Sequence, residues 1–249
     1  CYIWNIGMVE ELVDLLHKAA PGVDLWAGGP EVSYDAEDVL QRNPAFTGVM
    51  CGEGEKTFAR LVRAYEQAAG NRGQYCCNDE KSKPVLGDYC KPGEVELSAI
   101  DGIVFRGDDG RIYRTKPQAP VNMDDLPFPY ENMSKFENKI IYYESSRGCP
   151  FSCSYCLSSI DKRVRFRSLD LVKKELQVFL DARVPQVKFV DRTFNCNPRR
   201  TVELLNWIQK HDNGVTNFHF EIAADITTEE ELTIMEQMRP GLIQLEIGV

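Results

Sequence analysis

Glu144-Ser145-Ser146-Arg147-Gly148-Cys149-Pro150-Phe151-Ser152-Cys153-Ser154-Tyr155-Cys156 decides the reading of this chain. Three cysteines stand at C-x3-C-x2-C, directly after the apolar run Ile140–Glu144 and ahead of a helical stretch that begins near Leu169. Thiolates are soft ligands that suit iron–sulfur clusters or zinc. A compact loop can wrap three of them around one face of a cubane cluster and leave the fourth iron without a protein ligand. A structural zinc knot normally needs four ligands. The nearest other cysteines are Cys90 and Cys196, and the histidines are His17, His211 and His219. A redox cluster on Cys149, Cys153 and Cys156 is therefore the reading of this loop. A zinc knot, or three unrelated buried thiols, are its alternatives.

A regular alternation surrounds the loop. Ile140–Glu144, Val187–Asp191, Phe218–Ile222 and Leu242–Ile247 read as strands, with helical stretches starting near Leu169, Arg199 and Thr228 between them. Strands separated by helices pair in parallel. Four of them suit a sheet curving toward a barrel, whose active groups collect at the carboxyl ends of the strands. Ser168 is placed to cap the first of these helices. Asp191 and Asn195 sit at the end of the second strand, where Asp191 reads either as a ligand-binding group or as a helix cap. Lys162, Arg163, Arg165 and Arg167 form a basic run that reads first as a solvated face and second as a site for an acidic group.

Upstream, Leu12, Val13, Leu15, Leu16 and Ala19 form a helical apolar stripe that stops at Pro21-Gly22. Short strands at 23–27 and 47–51 end in Gly28-Gly29-Pro30 and Gly52-Glu53-Gly54-Glu55, and a helix follows through Phe58, Leu61, Val62 and Tyr65. The polar stretch 70–98, with Cys76, Cys77 and Cys90, reads as an irregular connector holding incidental thiols. Gly102–Arg106 and Arg111–Thr115 flank Gly107-Asp108-Asp109-Gly110 as a hairpin. Two prolines make Asp124–Tyr130 non-helical.

The composition excludes several classes. With 249 residues, 43% hydrophobic and 27% charged, the chain buries a real core and is not disordered. No run approaches the ~20 apolar residues that span a bilayer. A net charge of −9 disfavours generic binding to nucleic acid or an anionic membrane. Nine cysteines without an export signal argue for a reducing, cytoplasmic compartment rather than a disulfide framework. The start at Cys1 and the stop after the fourth strand lead us to expect a piece of a longer protein, cut at both ends.

At the cysteine loop, with Tyr155 just before the last cysteine, the sequence resembles the radical S-adenosylmethionine superfamily. The resemblance implies a 4Fe-4S cluster on Cys149, Cys153 and Cys156, whose open iron binds S-adenosylmethionine. Reductive cleavage of that cofactor then gives a 5′-deoxyadenosyl radical, with electrons from a donor such as flavodoxin or ferredoxin. By the same resemblance Tyr155, Asp191, Glu221, Glu246 and Gly248 are candidates to touch the cofactor. Arg147 beside the loop reads either as steadying the cluster or an anion, or as a surface charge. Tyr2–Ile6, Gly28-Gly29-Pro30-Glu31-Val32-Ser33, Cys51–Glu55 and Leu126–Tyr130 resemble the group that carries a cobalamin-binding Rossmann-like domain ahead of the radical barrel. In that group Gly28 and Gly29 would let backbone approach the cobalamin nucleotide tail. The group's cobalt-ligating Asp-x-His-x-x-Gly loop is not in this chain.

The expected fold is thus α/β: the C-terminal part of a cobalamin-binding-type Rossmann-like domain (1–69), a connector with a hairpin (70–137), and the N-terminal part of a TIM-like barrel (138–249). The expected function is radical chemistry on an unactivated carbon, methylation or rearrangement, on a substrate the sequence leaves open. A tRNA-modifying methylthiotransferase-like enzyme and a non-catalytic iron–sulfur or zinc module are the alternatives.

Overall fold

The computed structural model describes residues 1–68, 95–130, 132–136, 139–161 and 163–248. Cys76, Cys77, Cys90 and Lys162 lie outside the described residues. The chain divides into two compact units, Cys1–Val121 and Asn122–Val249.

In the first unit α1 (Ile6–Ala19), β1 (Trp26–Gly28), α2 (Pro30–Ser33), α3 (Ala36–Arg42), β2 (Gly48–Met50) and α4 (Gly54–Ala68) precede the hairpin strands β3 (Ile103–Arg106) and β4 (Ile112–Arg114). The sheet order is β1-β2-β3-β4, with β1 and β2 parallel and the rest antiparallel. The hairpin is therefore not part of a separate connector. Met50 pairs with Ile103 and Gly48 with Phe105, so β3 extends the amino-terminal sheet. Val104, whose side chain is fully buried, joins Val32, Leu40, Phe46 and Val49 in one core. The α1 stripe is helical as read, but only its Val13 is buried, while Leu12 and Leu15 are exposed. The face that packs inward runs through Ile6, Val9 and Val13.

The second unit contains β5 (Ile141–Tyr143), β6 (Ser146–Arg147), β7 (Arg165–Phe166), α5 (Leu169–Asp181), β8 (Gln186–Phe189), α6 (Pro198–Lys210), β9 (Asn217–Ile222), α7 (Glu229–Glu236) and β10 (Ile243–Ile247). Strands β5, β8, β9 and β10 pair in parallel in that spatial order. Consecutive order without a reversal is the winding of a barrel rather than of a doubly wound sheet. Period-two alternation sends Ile141, Tyr143, Val187, Phe189, Phe218 and Phe220 to the helix-covered face, against Leu176, Phe179, Leu204, Leu205 and Ile208. Tyr142, Lys188, His219 and Gln244 align in register as one row of the other face.

Residues 122–136 also belong to this unit. Phe128, Tyr130, Met133 and Phe136 pack on its core. A 3₁₀ turn at Met123–Asp125, capped by the Asn122 side chain, precedes the extended proline-bearing stretch that had been read as non-helical throughout. Ser168 occupies the N-cap position of α5 without a side-chain cap; its amide donates to Asp124 Oδ1 at 2.7 Å. Among the described residues no helix is long and apolar enough to cross a membrane.

Candidate metal centre

The cysteine loop stands on a two-stranded stalk. Beyond β5 the chain enters β6, crosses the loop, and returns as β7; Ser146 pairs with Phe166 and Arg147 with Arg165. Between the loop and α5, which begins at Leu169 as read, lie a 3₁₀ turn (Leu157–Ile160) and β7. Gly148 has φ +100, and a Cβ there would lie 2.5 Å from the Arg163 carbonyl oxygen, so only glycine lets the two legs cross so closely. The Cys149 amide donates to Asp161 O at 3.0 Å just above the crossing.

Each leg is clasped from below by a buried carboxylate. On the upstream leg Asp191, 2% exposed, accepts four hydrogen bonds: from the amide and hydroxyl of Ser145 at 2.7 and 2.6 Å, and from those of Ser146 at 3.1 and 2.8 Å. Burial pushes its carboxyl upward, against the four donors that pull it down. On the downstream leg Arg167 pairs with Glu175 of α5 through two hydrogen bonds at 2.8 and 2.5 Å and donates to the Met123 and Leu126 carbonyls. Tyr143 adds a 2.6 Å hydrogen bond to Glu175, and burial raises its phenol far above the ordinary range. The basic run is therefore not one solvated face: Arg167 is buried, Arg165 bonds to Asp161 at 3.2 Å, and Arg163 is exposed.

Cys149 is buried, with its Sγ 3.8 Å from Thr193 Oγ1, while Cys156 is half-buried and Cys153 exposed. None of the three is in a disulfide. Among the described residues no three His, Cys, Asp or Glu side chains are gathered as a preformed metal site. The donor set nevertheless fits an iron–sulfur cluster: three soft thiols within eight residues, none in a disulfide and one of them seated on a buried hydroxyl. Cys196 is half-buried, and burial pushes its thiol up, with the charges of Asp191 and Cys149 adding.

The other candidate residues are dispersed. Tyr155 is 90% exposed. The structure turns Asp191 inward, so its carboxylate is neither an open ammonium acceptor nor the cap of α6, which is Asn197. Asn195 is likewise buried, exchanging hydrogen bonds with Ala223 and donating to Thr227 Oγ1. Arg147 forms a two-bonded pair with Glu144 at 2.7 and 2.9 Å. Glu221 and Glu246 are register partners on the polar sheet face. Glu246 lies 3.1 Å from both Lys188 Nζ and His219 Nε2, although the latter is off line for a hydrogen bond, and Lys188 holds its carboxyl below the usual range. Gly248 is exposed. Ser145, Ser146, Glu175, Lys188, Thr193 and His219 were not singled out from sequence; the Ser-Ser pair beside the motif and the period-two polar face are the signals that point to them.

In the first unit Gly29 has φ +102, and a Cβ on it would meet the Cys1 backbone nitrogen at 2.5 Å. Its glycine requirement comes from the backbone of Cys1 crossing there, with Glu31 N donating to Cys1 O at 3.3 Å. Gly28 borders Met50. Open space lies over Gly52 and Gly54 at the end of β2.

A B12 binding domain family model matches residues 1–62, and a Radical SAM superfamily model matches residues 143–249. An uncharacterized methyltransferase, PH0819, from Pyrococcus horikoshii is 28% identical over 71% of this chain and 35% of its own length. The cobalamin-dependent radical SAM methyltransferase TokK from Streptomyces tokunonensis is 23% identical over 80% of this chain and 27% of its own. The chain therefore spans about a third, or less, of these relatives. The solved structure of the cobalamin-dependent S-adenosylmethionine radical enzyme OxsB, with aqua-cobalamin and S-adenosylmethionine bound, matches 98% of this chain and 34% of its own with a TM-score of 0.70 at 19% identity. The radical S-adenosylmethionine methyltransferase TsrM from Kitasatospora setae matches 98% of this chain and 44% of its own with a TM-score of 0.66 at 14% identity.

Proposed function

We propose that this chain, whose residues 1–62 match the B12 binding domain model and residues 143–249 the Radical SAM superfamily model, serves cobalamin-type radical chemistry, methylation or rearrangement of an unactivated carbon. The observation that carries this reading is the loop of three cysteines, none in a disulfide, raised on a doubly clasped stalk at the carboxyl ends of the parallel strands β5 and β8. The 4Fe-4S cluster, when bound, supplies the electron that cleaves S-adenosylmethionine to a 5′-deoxyadenosyl radical. Cys149, Cys153 and Cys156 hold that cluster. Asp191 and the Arg167–Glu175 pair keep the loop's two legs in register. Glu221, Glu246, Gly248 and Tyr155 remain candidates to meet the cofactor, and Gly28 and Gly29 to border cobalamin. The methyltransferase names of PH0819 and TokK favour methylation over rearrangement. A donor of the flavodoxin or ferredoxin class delivers the electrons, in a reducing cytoplasm that suits the six described cysteines, none of them in a disulfide.

The test is anaerobic reconstitution, iron and sulfide analysis, electron paramagnetic resonance, and an assay for 5′-deoxyadenosine. Four irons per chain, a reducible signal and cofactor cleavage are expected. Cys153→Ala should lose all three. Stoichiometric zinc without a reducible signal rejects the reading.

A further inference from the structure

Cys149 has a hydroxyl against its sulfur. Thr193 is 5% exposed, and its Oγ1 lies 3.8 Å from Cys149 Sγ and 2.7 Å from the Arg192 carbonyl oxygen. With Cys149 as a thiol, the Thr193 hydroxyl donates to Arg192 O and its lone pair faces the S–H. With Cys149 as a metal-bound thiolate, the sulfur has no proton to give, and the hydroxyl is the donor within reach. The residues around Thr193 keep it in place. Asp191, two positions earlier, is fixed by four hydrogen bonds. Phe194, the next residue, stacks on Phe220 with ring centroids 3.9 Å apart. A threonine pinned on both sides cannot withdraw from the sulfur beside it.

We propose that Thr193 is a positioning and potential-setting residue for the cluster, its hydroxyl donating to the Cys149 thiolate. A hydrogen bond to a ligating sulfur stabilises the more electron-rich, reduced form and raises the reduction potential. The inference rests on the cluster reading above and concerns only how this chain tunes it.

The experiment is a redox titration, followed by electron paramagnetic resonance, of reconstituted wild-type protein, Thr193→Val and Thr193→Ser, with iron and sulfide measured on each. Thr193→Val keeps the shape and removes the donor. It should load four irons and titrate at a more negative potential by a severalfold to tenfold change in the reduction equilibrium, tenfold being about 59 mV for one electron. Thr193→Ser should stay near wild type. If Thr193→Val does not fold, Thr193→Ala supplies the donor-free arm, with the same shift expected. Equal potentials in fully loaded wild-type and donor-free protein overturn the proposal while leaving the cluster reading intact. Wild-type protein that loads no cluster overturns both.

Discussion

Two turns, one in each unit, use the same backbone device to different ends. Gly29 and Gly148 have φ of +102 and +100, and at each the space of a missing Cβ is taken by a backbone atom 2.5 Å away. At Gly29 that atom belongs to Cys1, and the turn opens only the four-residue helix α2. At Gly148 it belongs to Arg163, and the turn opens a loop of three thiols whose legs are both clasped by buried carboxylates. At these two positions a positive-φ glycine marks where two stretches of backbone cross. What the crossing carries is set by the side chains that tie it down.

The comparison breaks most easily at the downstream clasp. Glu175→Ala leaves the Arg167 guanidinium buried without its carboxylate, and loss of one partner of a buried pair costs about 3–5 kcal/mol. Denaturant unfolding should show a loss of that size; a loss below about 1 kcal/mol means that the Gly148 turn stands unaided, like the one at Gly29. Asp191→Ala comes next. It orphans donors of Ser145 and Ser146, at roughly 1–3 kcal/mol for each one that finds no new partner. Iron content after reconstitution should drop severalfold, with Asp191→Asn recovering most of it through its remaining carbonyl oxygen. Undiminished iron in Asp191→Ala removes Asp191 from the loop's support. The smallest and sharpest test is the glycine pair itself. Gly29→Ala and Gly148→Ala each impose backbone strain of about 1–3 kcal/mol. Thermal melts should fall for both, but iron uptake only for Gly148→Ala; equal uptake by the two variants erases the distinction between the turns.

Much of the second unit was legible because its signals are local. Aromatic and β-branched runs at 140–144, 187–191, 218–222 and 242–247 lie within two residues of β5, β8, β9 and β10. The Gly107–Gly110 hairpin was equally plain. What escaped reading depends on partners far apart in sequence. Nothing local to Ile103–Arg106 says that it pairs with β2, more than fifty residues upstream. Arg167 looked like one charge in a solvated run because its burial depends on Glu175 in α5 and on the carbonyls of residues 123 and 126. Asp191 looked like an open carboxylate at a strand end because its four donors come from another strand's exit, 45 and 46 residues earlier. Two-residue strands such as β6 and β7 have too little pattern to show.

Statics gives the stalk a further meaning. The loop's base is fastened at three separated places: to β5 by the continuous chain, to the end of β8 through Asp191, and to α5 through Glu175. A body pinned at three points off one line has no rotation left, whereas one pinned at two still turns about the line between them. Loss of either carboxylate therefore frees the mount toward a hinge motion, while the continuous chain and the bonds of Arg167 to the Met123 and Leu126 carbonyls keep the loop from going adrift. The axis of that hinge, and so the direction in which the three thiols swing, depends on which pin is pulled.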